Sequence, residues 1–345
     1  MKIALLTNLI EDYTGHINVG DGFIRFGLQH ILNKAIPEPV EWHLISRFKP
    51  LTNEELALMK TCDYIIYGGM PQYNNLDDWK FYYDDEIWDD INALNIPVLS
   101  LAGGGGYPSE FMTPEEFADH LNTSQYTKEV LKKRLINTKL VTTRDKMAQA
   151  FLESNGVEST LLPCSGTFAC RFRGVEKSDN TINAICLTAS YFENRPDIEQ
   201  LVEEFKKTKE FLEIKTGKPC LYFAQVKKDD LELLKEWFGN HIVHVDNALD
   251  IIDYYKHIEY CVTTRLHFGL PVHGIGGKVV IVRVDTRGIA GEELEIPVIP
   301  LSDYTNDKFV EIFENDKFSK ISPDDSLEKE ISFYRSFFID TNCDK

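Results

Sequence analysis

The chain lacks every spacing that would pair its cysteines. Seven of them (Cys62, Cys164, Cys170, Cys186, Cys220, Cys261 and Cys343) are odd in number, widely scattered and never arranged as Cys-x-x-Cys. That excludes a disulfide scaffold and fits reduced thiols in a cytosolic protein. Long apolar runs are missing too: none reaches the roughly 18 residues a membrane span requires. The apolar stretch Met1 to Ile10 meets Glu11 and Asp12 at once, without a small-residue cleavage site, so it reads as a first strand rather than a leader. Basic residues are few, 37 Lys and Arg against 55 Asp and Glu, for a formal charge of −18. Such a surface repels phosphate backbones and anionic lipids, so nucleic acid is not an expected partner. The P-loop lysine motif and the G-x-G-x-x-G fingerprint are absent. His241 and His244, three apart in an expected strand, would point to opposite faces, and no metal motif is expected.

What is present is a globular composition, 43% hydrophobic and 27% charged over 345 residues, long enough for two cores. Short β-branched or aromatic runs alternate with helical patterns, the sequence form of repeated βαβ units and parallel sheets. Strands are expected at Ile3 to Leu9, Trp42 to Ser46, Tyr64 to Tyr67, Pro97 to Ala102, Leu140 to Thr143 and Thr160 to Leu162. Thr52 with Glu55, and Thr113 with Pro114 and Glu116, mark capping boxes at helix starts. A helix from about Asp145 should end at Asn155, where Gly156 supplies a left-handed residue. The polar stretch Arg171 to Asn180 separates residues 1–175 from residues 176–345. Strands then resume at Ile182 to Thr188, Pro219 to Ala224, Ile242 to Val245, Tyr260 to Thr263 and Lys278 to Val284. Terminal helices follow Leu301, and Ile331 to Phe338 should pack on one of the domains.

Val141-Thr142-Thr143-Arg144 recurs 121 residues later as Val262-Thr263-Thr264-Arg265. Each copy closes an expected strand, so each half presents an arginine at a strand's carboxyl end, where open α/β sheets bind ligands. Arg265 with His267 makes an anion site with a proton-exchanging group, although an isolated Arg-x-His more often forms an ion pair and a packed ring. Asn18-Val19-Gly20-Asp21-Gly22 offers close backbone approach and an aspartate placed to cap the next helix. Gly103 to Gly106 follow a buried strand; they make a tight turn or admit a phosphate or sugar to the backbone. The aromatic and acidic run Trp79 to Trp88 reads first as an amphipathic helix, second as a sugar platform.

Thr263-Thr264-Arg265-Leu266-His267-Phe268-Gly269, followed by Asp285-Thr286-Arg287, resembles the Arg-Leu-His segment of the polysaccharide pyruvyl transferase family. The likeness continues in Thr143-Arg144-Asp145, in Asn18-Val19-Gly20-Asp21 and in the glycine run, covering most of residues 1 to 290 at low density. It implies two facing Rossmann-like domains with parallel sheets, as in GT-B enzymes. It also implies transfer of pyruvate from phosphoenolpyruvate to a sugar of a cell-surface or exopolysaccharide precursor, in the cytoplasm, with no cofactor beyond that co-substrate. Peripheral contact with a lipid-linked acceptor would be compatible with this. By resemblance His267 is the acid/base, with Arg265, Arg144 and Thr264 at the donor. Asn18, Gly20, Asp21, Gly104, Gly105 and Gln225 would line the cleft on the acceptor side.

Three positions depart from the family pattern: Ile17 stands where a glycine is usual, Gln225 where a histidine is common, and Cys164 where an aspartate follows the proline. They leave two alternatives open: a GT-B glycosyltransferase using a nucleotide sugar, and an inactive carbohydrate-binding homologue. A nucleotide requirement would mark the first; absence of any turnover would mark the second.

Overall fold

The computed structural model describes residues 1–8, 19–47, 49–68, 71–77, 84–193, 195–225, 228–244 and 247–342. The first sheet is built from β1 (Lys2–Thr7), β2 (Glu41–Ser46), β3 (Tyr64–Gly68), β4 (Pro71–Tyr73), β5 (Val98–Gly105), β6 (Thr138–Thr143) and β7 (Thr160–Leu161). The second holds β8 (Ile182–Leu187), β9 (Cys220–Ala224), β10 (Ile242–His244), β11 (Ile258–Thr263), β12 (Lys278–Arg283) and β13 (Val298–Pro300). The first sheet runs in the order β2-β1-β3-β5-β6-β7, with β4 beside β5, and the second runs β10-β9-β8-β11-β12-β13. Adjacent strands are parallel in both. Each order reverses once, between β1 and β3 and between β8 and β11. Those crevices are where such sheets receive ligands.

Local signals place the elements well. Thr52 and Thr113 both close complete capping boxes with Glu55 and Glu116. Asp145 caps the helix Lys146–Ser154, and Gly156 follows it at a φ of +71°. Other expectations need correction. The glycine run does not begin a turn after Ala102, because β5 continues through Gly105. Ala102 itself takes a left-handed φ of 52° where the β5–β6 register shifts between Ser100 and Gly103. Asp21 is not an N-cap, since the helix Val19–Ala35 has already begun two residues before it. Of the aromatic run, Trp79 to Tyr83 lie outside the described residues; the helix Asp84–Ala93 buries Trp88 edge-on against Tyr67, with centroids 5.0 Å apart.

Burial is continuous between the halves. Val19, Phe23 and Ile24 of the first helix share one core with Tyr255, Phe268 and Cys186 from beyond residue 180. The last helix, Pro323–Asn342, follows the second sheet in sequence but packs on the first. There Leu327, Ile331, Tyr334 and Phe338 join Ile3, Leu5, Tyr64 and Leu99 in one cluster. Tyr334 shares a hydrogen bond of 3.1 Å with Thr142, and the Phe338 ring meets Tyr64 edge-on. The six described cysteines are free and buried. Among the described residues no helix is long and apolar enough to cross a membrane.

Candidate active site between the two sheets

At the end of β6 the chain turns so that Arg144 leaves the sheet edge wholly buried. Its backbone N–H donates to Gly103 O at 2.9 Å. Asp145 then anchors the turn, accepting from Ala148 N at 2.8 Å and from Gly105 N at 3.1 Å. Burial lifts the Asp145 carboxyl to about 6, against the opposing pull of Arg144. The Arg144 side chain runs across Gly104, where an added Cβ would come within 2.3 Å of its Nε. Its Nη1 lies 3.3 Å from His267 Nε2, and its Nη2 has no hydrogen-bond partner among the described residues. The other glycines of the run meet protein as well: Tyr73 at 2.7 Å for Gly103, Phe117 at 2.8 Å for Gly105 and Asn74 at 2.7 Å for Gly106. The close approach these glycines permit is to side chains of the fold itself.

In the second half, the end of β11 is drawn toward β8 because Thr264 N donates to Cys186 O at 2.9 Å. Thr263 Oγ1 accepts from Arg265 N at 2.8 Å, turning the chain into the helix Leu266–Gly274. His267 sits in that first turn, buried against Gly20 and Gly166, where added Cβ atoms would stand 2.8 and 3.3 Å from its side chain. Cys164 Sγ lies 3.6 Å from His267 Nε2. An arginine only donates, so Nε2 accepts from Arg144 and the neutral ring carries its proton on Nδ1. Burial, then the charges of Arg144, Arg287 and Arg265, push the imidazole well below the usual histidine range. At neutral pH the ring is uncharged.

A third arginine completes the cation cluster. Arg287 Nε donates to Asp285 Oδ2 at 2.9 Å and its Nη2 to Tyr191 Oη at 2.6 Å, while Tyr191 donates to Asp285 at 3.0 Å. Burial would raise the Asp285 carboxyl, but Arg287 and these hydrogen bonds hold it below its ordinary value. Gln225, Thr264, Arg265, His267, Asp285 and Arg287 line one pocket. Asp21 faces this group from the first helix. Its Oδ2 accepts from Asn8 Nδ2 at 2.6 Å, and burial raises its carboxyl while Arg144, Arg47 and Arg287 pull the other way.

The structure therefore brings together Arg144 and His267 in contact, Arg265, Thr264 and Gln225 along one pocket, and Gly20, Asp21 and Gly104 against that group. Gly105 contributes a backbone N–H to Asp145 rather than a side of the pocket. Asn18 lies outside the described residues. Sequence reasoning noticed Asp285 and Arg287 but did not place them at the site, and it passed over Tyr191. The signal for Arg287 was the Asp-x-Arg spacing after β12, which ties the arginine to its own carboxylate at the pocket rim.

The fold resembles solved enzymes of nucleotide-sugar metabolism. UDP-GlcNAc 2-epimerase from Neisseria meningitidis, bound to UDP-GlcNAc, aligns with a TM-score of 0.52 at 11% identity, covering 100% of both chains. The S. aureus MnaA–UDP structure gives 0.52 at 11%, over 96% of this chain and 90% of that one. The UDP-GlcNAc 2-epimerase of Methanocaldococcus jannaschii gives 0.51 at 11%, over 91% and 92%. These likenesses establish the two-domain GT-B-like architecture. No curated protein matches the sequence. The polysaccharide pyruvyl transferase model matches residues 18–283, spanning β2 to β12 with Arg144, Cys164, Arg265 and His267 inside it. By that match over most of its length, the chain is a transferase of the polysaccharide pyruvyl transferase family.

Proposed function

We propose that the cleft binds phosphoenolpyruvate and transfers its pyruvyl group, as a cyclic ketal, to two hydroxyls of a saccharide. One observation carries this reading: Arg144, Arg265 and Arg287 surround a buried, uncharged His267 in a protein of formal charge −18. Asp285 already shares the charge of Arg287, but Arg144 Nη2 and Arg265 Nε are buried with no partner among the described residues, which is costly unless an acceptor reaches them. A donor carrying both a phosphate and a carboxylate supplies acceptors for those N–H groups. Its anions also offset the three guanidinium groups, which add to burial in keeping His267 neutral, and so favour the protonated ring. The imidazolium then delivers a proton to the vinyl carbon, and a sugar hydroxyl attacks the neighbouring carbon, its proton returning through the imidazole. A second hydroxyl displaces phosphate and closes the ketal, its proton leaving with that group.

Phosphoenolpyruvate is made inside the cell, so we place the reaction in the cytoplasm, before export of a cell-surface or exopolysaccharide precursor. A lipid-linked acceptor would then be met at the membrane surface. The test is product analysis: phosphoenolpyruvate and a panel of saccharide acceptors, with inorganic phosphate and the ketal measured together. Stoichiometric release supports the proposal. Turnover only with UDP- or GDP-sugars would move the assignment to glycosyl transfer, and no turnover with either class would contradict it.

A further inference from the structure

We infer that Cys164 is the source of the proton that His267 uses, acting through the ring as a positioning residue rather than on the substrate. This rests on the pyruvyl transfer proposed above. Two donors face His267 Nε2, Arg144 Nη1 at 3.3 Å and Cys164 Sγ at 3.6 Å. A guanidinium in a protein does not release its proton, so the thiol is the one of these two that can hand a proton over. Charge balance favours the same route. A proton drawn from solvent adds positive charge to a buried ring that already feels Arg144, Arg287 and Arg265. A proton passed from Cys164 leaves the net charge unchanged; burial holds the thiol above its usual value, and Arg144 opposes that rise.

The balance closes without another reactant. The S–H bond breaks as Nε2–H forms, and the imidazolium gives a proton to the vinyl carbon of the donor. The hydroxyl that attacks the neighbouring carbon loses its own proton, which restores the thiol. The other charged and titratable groups around the pair are Asp145 beside Arg144, Asp21 from the first helix, and Glu330 from the last helix, whose carboxyl burial raises well above its usual value. Burial raises the Cys164 thiol above its usual value and Glu330 and Asp145 add to that rise, while Arg144 works against it.

The experiment compares wild type with Cys164→Ala, Cys164→Ser and Cys164→Asp. Ring-nitrogen NMR of labelled histidines, with His267→Ala identifying the resonance, reads the pair without any turnover. The expected result is a His267 titration displaced in Cys164→Ala. In turnover, kcat should fall at least roughly tenfold in both Cys164→Ala and the volume-conserving Cys164→Ser, with KM for phosphoenolpyruvate little changed. Cys164→Asp should recover activity with a displaced pH profile. A wild-type titration and wild-type kcat in Cys164→Ala would overturn the inference. If wild type transfers no pyruvate yet the titration moves, the pair stands and the proposed reaction fails. If the titration stays still, the pair fails whatever the reaction.

Discussion

Gly104 and Gly20 are the positions where one added methyl group should disturb the site most. In Gly104→Ala the new Cβ would fall 2.3 Å from Arg144 Nε, and in Gly20→Ala 2.8 Å from the His267 side chain. Each should displace a functional group while leaving the sheets intact. The expected outcome is a loss of kcat/KM of roughly a hundredfold with near-native circular dichroism, comparable to His267→Ala. His273 gives a separate test at the same scale. It is buried, its Nε2 has no partner among the described residues, and burial holds it at about 4. Its folded pKa lies below the unfolded one, so the unfolded chain takes up a proton first as pH falls. Stability is therefore lost from about pH 6.5 down to about pH 4, on the order of 3 kcal/mol from this group. Urea titrations should show His273→Gln losing less stability than wild type across that window. The arginine pair and His267 were legible at this scale because a repeated Thr-Thr-Arg carries its position with it. Tyr191 was not: its meaning lies in Arg287, 96 residues away.

Among the elements, the capping boxes and the long strands were read correctly, while the cap at Asp21 and the elements set by distant packing were not. Capping boxes at Thr52 and Thr113 and the stop at Gly156 depend on three or four adjacent residues. β4 and β13, three residues each, are too short to show alternation: β13 pairs along β12, and β4 pairs with Gly104 and Gly105, where β5 runs past the residues paired with β3. The glycine run could not be interpreted locally, since Phe117, Met147 and Arg144 decide what lies against it. The last helix shows the same dependence, because its aromatic face announces burial but not the sheet that receives it. Phe338→Ala should cost roughly 3 to 5 kcal/mol, as expected for a fully buried aromatic ring. Tyr334→Phe should cost about 1 kcal/mol, the worth of its hydrogen bond to Thr142. Chemical denaturation followed by tryptophan fluorescence measures both, and equal, negligible effects would mean the helix is not part of the first half's core.

Across the whole molecule the two halves are fastened unequally. On one side lies the apolar core of Phe23, Tyr255 and Phe268. On the other, polar contacts cross the cleft: Thr286 N donates to Tyr107 O at 3.0 Å, Arg283 Nη2 to Met112 O at 2.9 Å, and Glu110 holds both Arg195 and Ser302 N. Arg144 is wholly buried and does not line the pocket with His267, so a donor that is to reach it requires the halves to part, and the polar side is the weaker one. Glu110→Ala should therefore change KM for the donor by a few-fold with kcat nearly constant, as loosening a partly buried ion pair would. Unchanged kinetics together with unchanged unfolding would remove the polar latch from the mechanism.

The most direct measurement is calorimetric titration of phosphoenolpyruvate into wild type and into Arg265→Ala. Binding in wild type should be weakened at least roughly tenfold in the variant, about 1.4 kcal/mol, because a partly buried cationic donor facing the anion is lost. Equal affinity in the two proteins, or binding of UDP- and GDP-sugars with none of phosphoenolpyruvate, would contradict the assignment of this cleft as a pyruvyl donor site.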